Sequence, residues 1–161
     1  MQSENLENAA TDNARTMSRK WGSDIVSSGF TSLPNHLLSI NQFVRKERRL
    51  TPTELLTLFQ ILSAWWHAEQ LPFPSKTTIA RRLGLSPRQV QRALNGLEEK
   101  GYLTRVARFY PNRGRASNSY DLSKMVALVR VLAEQNPDAF KRRRSLPAAS
   151  QTEIKPQSAT P

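Results

Sequence analysis

The chain has 161 residues, room for one domain with tails, and sets 24 Lys and Arg against 13 Asp and Glu for a formal net charge of +11. That imbalance attracts polyanions, nucleic acid before an anionic membrane surface. The lack of cysteine excludes disulfides and thiolate chemistry, no apolar run approaches the roughly 20 residues of a membrane span, and 38% hydrophobic residues is low against about 45–50%, so part of the chain is expected not to pack.

Residues 1–29 read as a flexible N-terminal tail. Asn, Ser, Thr, Ala and acids dominate as far as Asn13, and no helical or alternating pattern precedes Ile25-Val26. The polar start with its two Glu is unlike a signal peptide. Phe30, Leu33, Leu37, Leu38 and Ile40 then form a short apolar segment, with Pro34 at a first helical position. Thr51-Pro52-Thr53-Glu54 predicts a helix start: Thr51 caps, Pro52 suits the first turn, and Glu54 closes a capping box. Leu55, Leu58, Leu62 and Trp65, with Phe59, Ile61 and Trp66 beside them, extend that helix to about Glu69. The Trp pair is expected in the core, and Leu71-Pro72-Phe73-Pro74 is expected to end the helix.

Ser75 to Gly101 is the most informative stretch. Ser75 is an N-cap, Ile79, Ala80 and Leu83 give a short helix one apolar face, and Gly84 takes the left-handed C-terminal position. Leu85 follows as an apolar plug, and Ser86-Pro87 repeats the cap-and-Pro start. Val90, Ala93, Leu94 and Leu97 recur with helical spacing up to Lys100-Gly101. Two short helices around a tight Gly-containing turn predict a helix-turn-helix. At about 100° per residue, Arg88, Arg92 and Asn95 lie opposite the apolar face, with Gln89 and Gln91 on its flanks. These side chains suit base edges in a major groove: Arg for guanine, Asn or Gln for adenine. No acid interrupts Arg88 to Leu97, whereas a merely solvated face mixes both signs. Lys76, Thr77 and Thr78 at the start of the first helix, and Ser86 at the start of the second, are expected to meet phosphates, where free amides and the dipole favour an anion.

After Gly101 the period changes. Thr104 to Tyr110 and Asn118 to Leu122 are β-prone runs around Pro111-Asn112-Arg113-Gly114-Arg115, which predicts a hairpin. Arg108, Arg113 and Arg115 make its tip suitable for phosphates or a narrow minor groove. From Ser123, read as a cap, to Gln135 the face of Met125, Leu128, Val129 and Leu132 predicts a further helix. Residues 125–140 are therefore a C-terminal helix that packs on its own domain or pairs with a second copy as a homodimer. Residues 141–161, basic over Lys141 to Arg144 and then rich in Pro, Ser and Ala, read as a disordered tail.

Helix, helix-turn-helix and basic hairpin follow one another in the order of a winged helix. Thr77-Ile79-Ala80-Arg82-Leu83-Gly84, Ser86-Val90-Arg92-Ala93-Leu94 and Leu97-Glu98-Gly101-Tyr102-Leu103 closely resemble the winged helix-turn-helix domains of bacterial regulators. Leu33-Pro34, Leu50-Thr51-Pro52-Glu54 and Tyr120-Asp121-Leu122 narrow the resemblance to the helix-turn-helix family of phage, plasmid and other mobile-element proteins, replication initiators among them. The resemblance spans residues 30–124 and implies DNA binding through Ser86 to Lys100 and through a wing from Arg108 to Ser117.

The expected fold is thus mainly α with a small β-hairpin wing, a winged helix-turn-helix between flexible N- and C-terminal tails. The expected function is sequence-specific binding of double-stranded DNA by a transcriptional regulator of a bacterial or mobile-element system, in the cytoplasm and on the nucleoid. Two alternatives are a plasmid or phage replication or maintenance protein at origin or partition repeats, and, from a different class, a winged-helix protein-interaction adaptor. An enzyme is not expected. His36 and His67 lack a neighbouring carboxylate-rich motif, and there is no Walker loop and no metal-ligand spacing. No cofactor, metal, membrane or small-molecule ligand is called for.

Overall fold

Local capping signals at the starts of three helices set much of the architecture. A computed structural model describes residues 15–111 and 114–141. Residues 1–14, 112–113 and 142–161 lie outside that description, and with them the expected contact Arg113 and the expected basic run Arg142 to Arg144. In chain order the elements are α1 over 15–21, α2 Ser23–Ser27, α3 Asn35–Leu38, α4 Ile40–Phe43, a 3-10 turn Lys46–Arg48, α5 Pro52–Leu62, α6 Lys76–Leu83, α7 Pro87–Glu99, strands β1 Thr104–Val106, β2 Phe109–Tyr110, β3 Gly114–Arg115 and β4 Ser119–Asp121, and α8 Ser123–Gln135. The fold is mainly helical with an antiparallel wing after the helix-turn-helix, as the sequence predicts.

The core joins α5, α6 and α7 to the base of the wing and to α8. Leu37, Ile40, Leu58, Ile61, Ile79, Val90, Leu94, Leu97, Tyr102, Leu103 and Leu122 are all buried in one cluster. Leu83 and Leu85 pack at its edge, and Ala80 is buried where a larger side chain would hold α6 and α7 apart. Asn41 secures the approach to α5: its amide brackets Leu50, donating to the carbonyl and accepting from the N–H, both at 2.7 Å.

Three expectations need correction. The helix opened by Thr51 and Glu54 does have its capping box, but it ends at Leu62 rather than near Glu69. Beyond Leu62 the bonds tighten to Ala64 N–H on the Ile61 carbonyl and Trp65 N–H on that of Leu62, and the Ser63 hydroxyl donates to the Gln60 carbonyl. Ser, Trp and His at 63–67 add little helix propensity to oppose this turn. The Trp pair therefore divides: Trp65 packs against the core, while Trp66 is 76% exposed.

The second correction concerns α8. Ser123 is its first residue, not its cap, and the Asp121 carboxylate accepts from the Ser123 N–H at 2.9 Å. The third lies in the N-terminal segment, where 15–21 and Ser23–Ser27 are helical although no apolar period marks them. α2 buries no residue, and the hydroxyls of Ser27 and Ser28 donate to the Asp24 carbonyl.

The wing is a hairpin in two pieces. β1 pairs with β4 through Thr104↔Asp121, Arg105↔Tyr120 and Val106↔Ser119, and β2 pairs with β3 through Phe109↔Arg115 and Tyr110↔Gly114. Between these pieces the return limb is one residue longer than the outgoing limb, a bulge that re-aims the tip. The segment before α6 lies along the wing, its Pro72 carbonyl accepting from the Tyr120 N–H at 2.9 Å.

Candidate nucleic-acid interface

The two helices of the turn are placed by four agreeing devices. The Ser75 hydroxyl accepts from the Thr78 N–H, and Gly84 adopts φ 66° and ψ 30°, where a side chain would be strained. The Leu85 N–H returns to the Ala80 carbonyl at 2.9 Å. Ser86 and Gln89 form a second capping box behind Pro87. Val90, Ala93, Leu94 and Leu97 of α7 are buried, so helical geometry turns Arg88, Arg92 and Asn95 to solvent, and all three are exposed. Among the described residues neither Arg88 nor Arg92 enters an ion pair.

The other predicted contacts are sorted by their partners. Gln89 is occupied at the cap: its Oε1 accepts from the Ser86 N–H at 2.9 Å and from the Ser86 hydroxyl at 3.0 Å. The Ser86 hydroxyl in turn accepts from the Gln89 N–H, which directs Ser86 toward its own helix. Gln91 is bonded on both sides, with Oε1 accepting from Lys76 Nζ at 2.7 Å and Nε2 donating to Asn95 Oδ1 at 2.9 Å. Lys76 and Thr77 are exposed at the start of α6, while Thr78 is half-buried with its hydroxyl 2.9 Å from that of Ser75. Arg115 of the wing lines a recess with Ser75, Lys76, Thr77 and Gln91, which brings the first helix, α7 and the wing to one side of the molecule.

Arg108 is elsewhere. Its guanidinium stacks 3.9 Å from the centre of the Phe73 ring, half-buried, with Nη1 buried and unpartnered among the described residues. Two further cations between Lys76 and Arg115 are taken up in ion pairs within the molecule. Lys100 pairs with Glu54, and Arg105 pairs with Glu98. The Arg105 guanidinium and then its backbone N–H hold the Glu98 carboxyl below its ordinary value. Glu54 and Glu98 thus meet cations at the edge of α7, and Glu99 stands exposed at its C-terminal end.

Sequence reasoning missed three features of this side. Phe109, 70% exposed, and Tyr110 stand at the wing tip; they read only as strand formers, although Pro111 after them signals a tip. Phe73, which reads as part of a helix stop, anchors the wing. The Lys76–Gln91–Asn95 chain joins residues of two helices and leaves no local spacing to find.

Residues 48–103 match the helix-turn-helix domain family. No curated protein matches the chain. A similar solved structure is a possible transcriptional regulator from Methanosarcina mazei Go1, 17% identical, with 62% of this chain and 80% of that one covered at a TM-score of 0.42. Among the described residues no helix is long and apolar enough to cross a membrane.

Proposed function

We propose, for a chain whose residues 48–103 form a helix-turn-helix domain, sequence-specific binding of double-stranded DNA in the service of transcriptional regulation. The observation that carries this reading is the outer face of α7, where Arg88, Arg92 and Asn95 are exposed on a helix whose opposite face is buried. In a major groove that admits one helix, the two guanidiniums suit guanine and the amide suits adenine. Thr77 and Arg115 supply phosphate contacts beside it, which position the protein without specifying sequence. On this reading the chain works in the cytoplasm, on the nucleoid, of a bacterial or mobile-element system.

Pairing of two copies through α8 receives less support. Met125 and Leu132 are buried, Leu128 and Val129 pack against the core, and Val131 alone of the larger apolar residues of α8 is left well exposed. His36 and Phe140 close the same end, with their rings 4.9 Å apart and His36 Nε2 3.1 Å from the Asn136 carbonyl. We therefore assign α8 to its own domain.

The test is selection of binding sites from a random duplex library, followed by Arg92→Ala. The variant is expected to lose about 1–3 kcal/mol on the selected site and to relax preference at one base pair. Equal weakening on every sequence would exclude base readout by α7.

A further inference from the structure

We infer that Lys76 is a positioning residue for base readout, fixing which end of the Asn95 amide is offered to DNA; this rests on the DNA-binding reading above. The inference follows from donor and acceptor chemistry along three side chains. A lysine ammonium only donates, so the amide atom 2.7 Å from Lys76 Nζ is the Gln91 oxygen. The Gln91 nitrogen is then the end that reaches Asn95. An amide nitrogen also only donates, so the atom it meets at 2.9 Å is Asn95 Oδ1. By elimination, Asn95 Nδ2 keeps both of its N–H groups, and Oδ1 keeps one lone pair.

An exposed Asn without such neighbours interconverts between two amide orientations. Here one cation on α6 sets the sense of the whole chain, because reversing either amide would place donor against donor. The positive charge also polarises the linked amides and makes the last N–H groups better donors. What Asn95 then presents is a donor beside an acceptor of fixed order, which complements adenine N7 and the adenine N6 amino group in the major groove. Neither guanine, with two acceptors, nor cytosine, with a donor alone, matches that pair. The chemical class read at this position is therefore an adenine, and Lys76 acts on it through Gln91 without touching it.

Two measurements on the full chain test this, one without DNA. In side-chain amide NMR spectra of the free protein, Lys76→Met is expected to shift the resonances of both Gln91 and Asn95. An unmoved Asn95 would overturn the relay whatever the protein binds. In competition assays on the selected duplex, Lys76→Met and Asn95→Ala are each expected to reduce preference for adenine at the same position on the order of tenfold. The double variant should lose no more than Asn95→Ala alone, and Lys76→Arg, which still donates, should keep most of the preference. If Lys76→Met instead weakens all duplexes alike and flattens the salt dependence, Lys76 is a phosphate contact and the inference is wrong. Failure of the unaltered protein to select any sequence would overturn both readings, and the amide shifts would still report separately on the relay.

Discussion

The carboxylate of Glu54 has three neighbours that fix how α5 meets α7. It accepts from the Thr51 N–H at 2.7 Å and from Lys100 Nζ at 2.8 and 2.6 Å through its two oxygens. Against it lies Gly96, where an added Cβ would fall 2.0 Å from Oε1. Burial alone would raise the Glu54 carboxyl, but the Lys100 ammonium and the Thr51 N–H outweigh it and hold the group below its ordinary value of 4.5. A carboxyl depressed in the folded state stabilises that state above its unfolded value, and the contribution disappears as pH falls through the folded one. Glu98 and Asp121 shift in the same direction. The melting temperature is therefore expected to fall as pH drops below about 4.5, and Glu54→Gln should flatten that fall while costing about 1–3 kcal/mol at pH 7. Gly96→Ala, which displaces the carboxylate, should destabilise by about 1–3 kcal/mol. Thermal unfolding of the variants across acid and neutral pH checks these expectations; a Glu54→Gln profile parallel to that of the unaltered protein would remove Glu54 from the acid response.

Between elements, the orientation of the wing depends on the segment before α6. The Ser117 hydroxyl donates to the Phe73 carbonyl at 3.1 Å, the Tyr120 N–H bonds to Pro72, and Arg108 stacks on the Phe73 ring. Removing the ring by Phe73→Ala frees Arg108, yet the ring itself is half exposed, so little core is lost. Hydrogen exchange of the Phe109 to Ala116 amides should rise, DNA affinity should fall several-fold, and the global unfolding free energy should change by less than about 1 kcal/mol. Unchanged exchange in the wing would mean that the backbone bonds alone hold it. The contrast with the helix-turn-helix shows where sequence is legible. Ser75, Gly84, Ser86 and Pro87 each act within a few residues of chain, so their spacing predicts α6, its turn and α7. Glu54 is readable as a cap for the same reason, whereas its partner Lys100 stands just past the end of α7 and Gly96 has meaning only beside that carboxylate. The overlong α5 has a different cause. Trp65 keeps the apolar period, but a residue that turns back onto the core satisfies that period as well as one carried on by a helix.

For the molecule as a whole, charge is divided between ion pairs within the molecule and the outer face. Glu54 and Glu98 neutralise Lys100 and Arg105, and Arg108 lies on Phe73, which leaves Lys76, Arg81, Arg82, Arg88, Arg92 and Arg115 exposed on or beside the helix-turn-helix. The C-terminal segment carries charge of another kind, a consecutive Arg142-Arg143-Arg144. Truncation after Lys141 removes these three, Lys155 and Glu153, a net loss of three that takes the formal charge from +11 to +8. Phosphate attraction through such a segment follows counterion release and is blind to sequence. The truncated chain should therefore bind a selected site and a scrambled duplex more weakly by the same factor, with the order of base preferences unchanged. Its slope of log affinity against log salt should be shallower by about 0.9 for each phosphate that the segment no longer neutralises. Fluorescence anisotropy over a salt series on both duplexes measures these quantities together. A truncated chain that lost its preference along with its affinity would show that the segment reads sequence, and specificity would then have to be reassigned from α7 to the C-terminus.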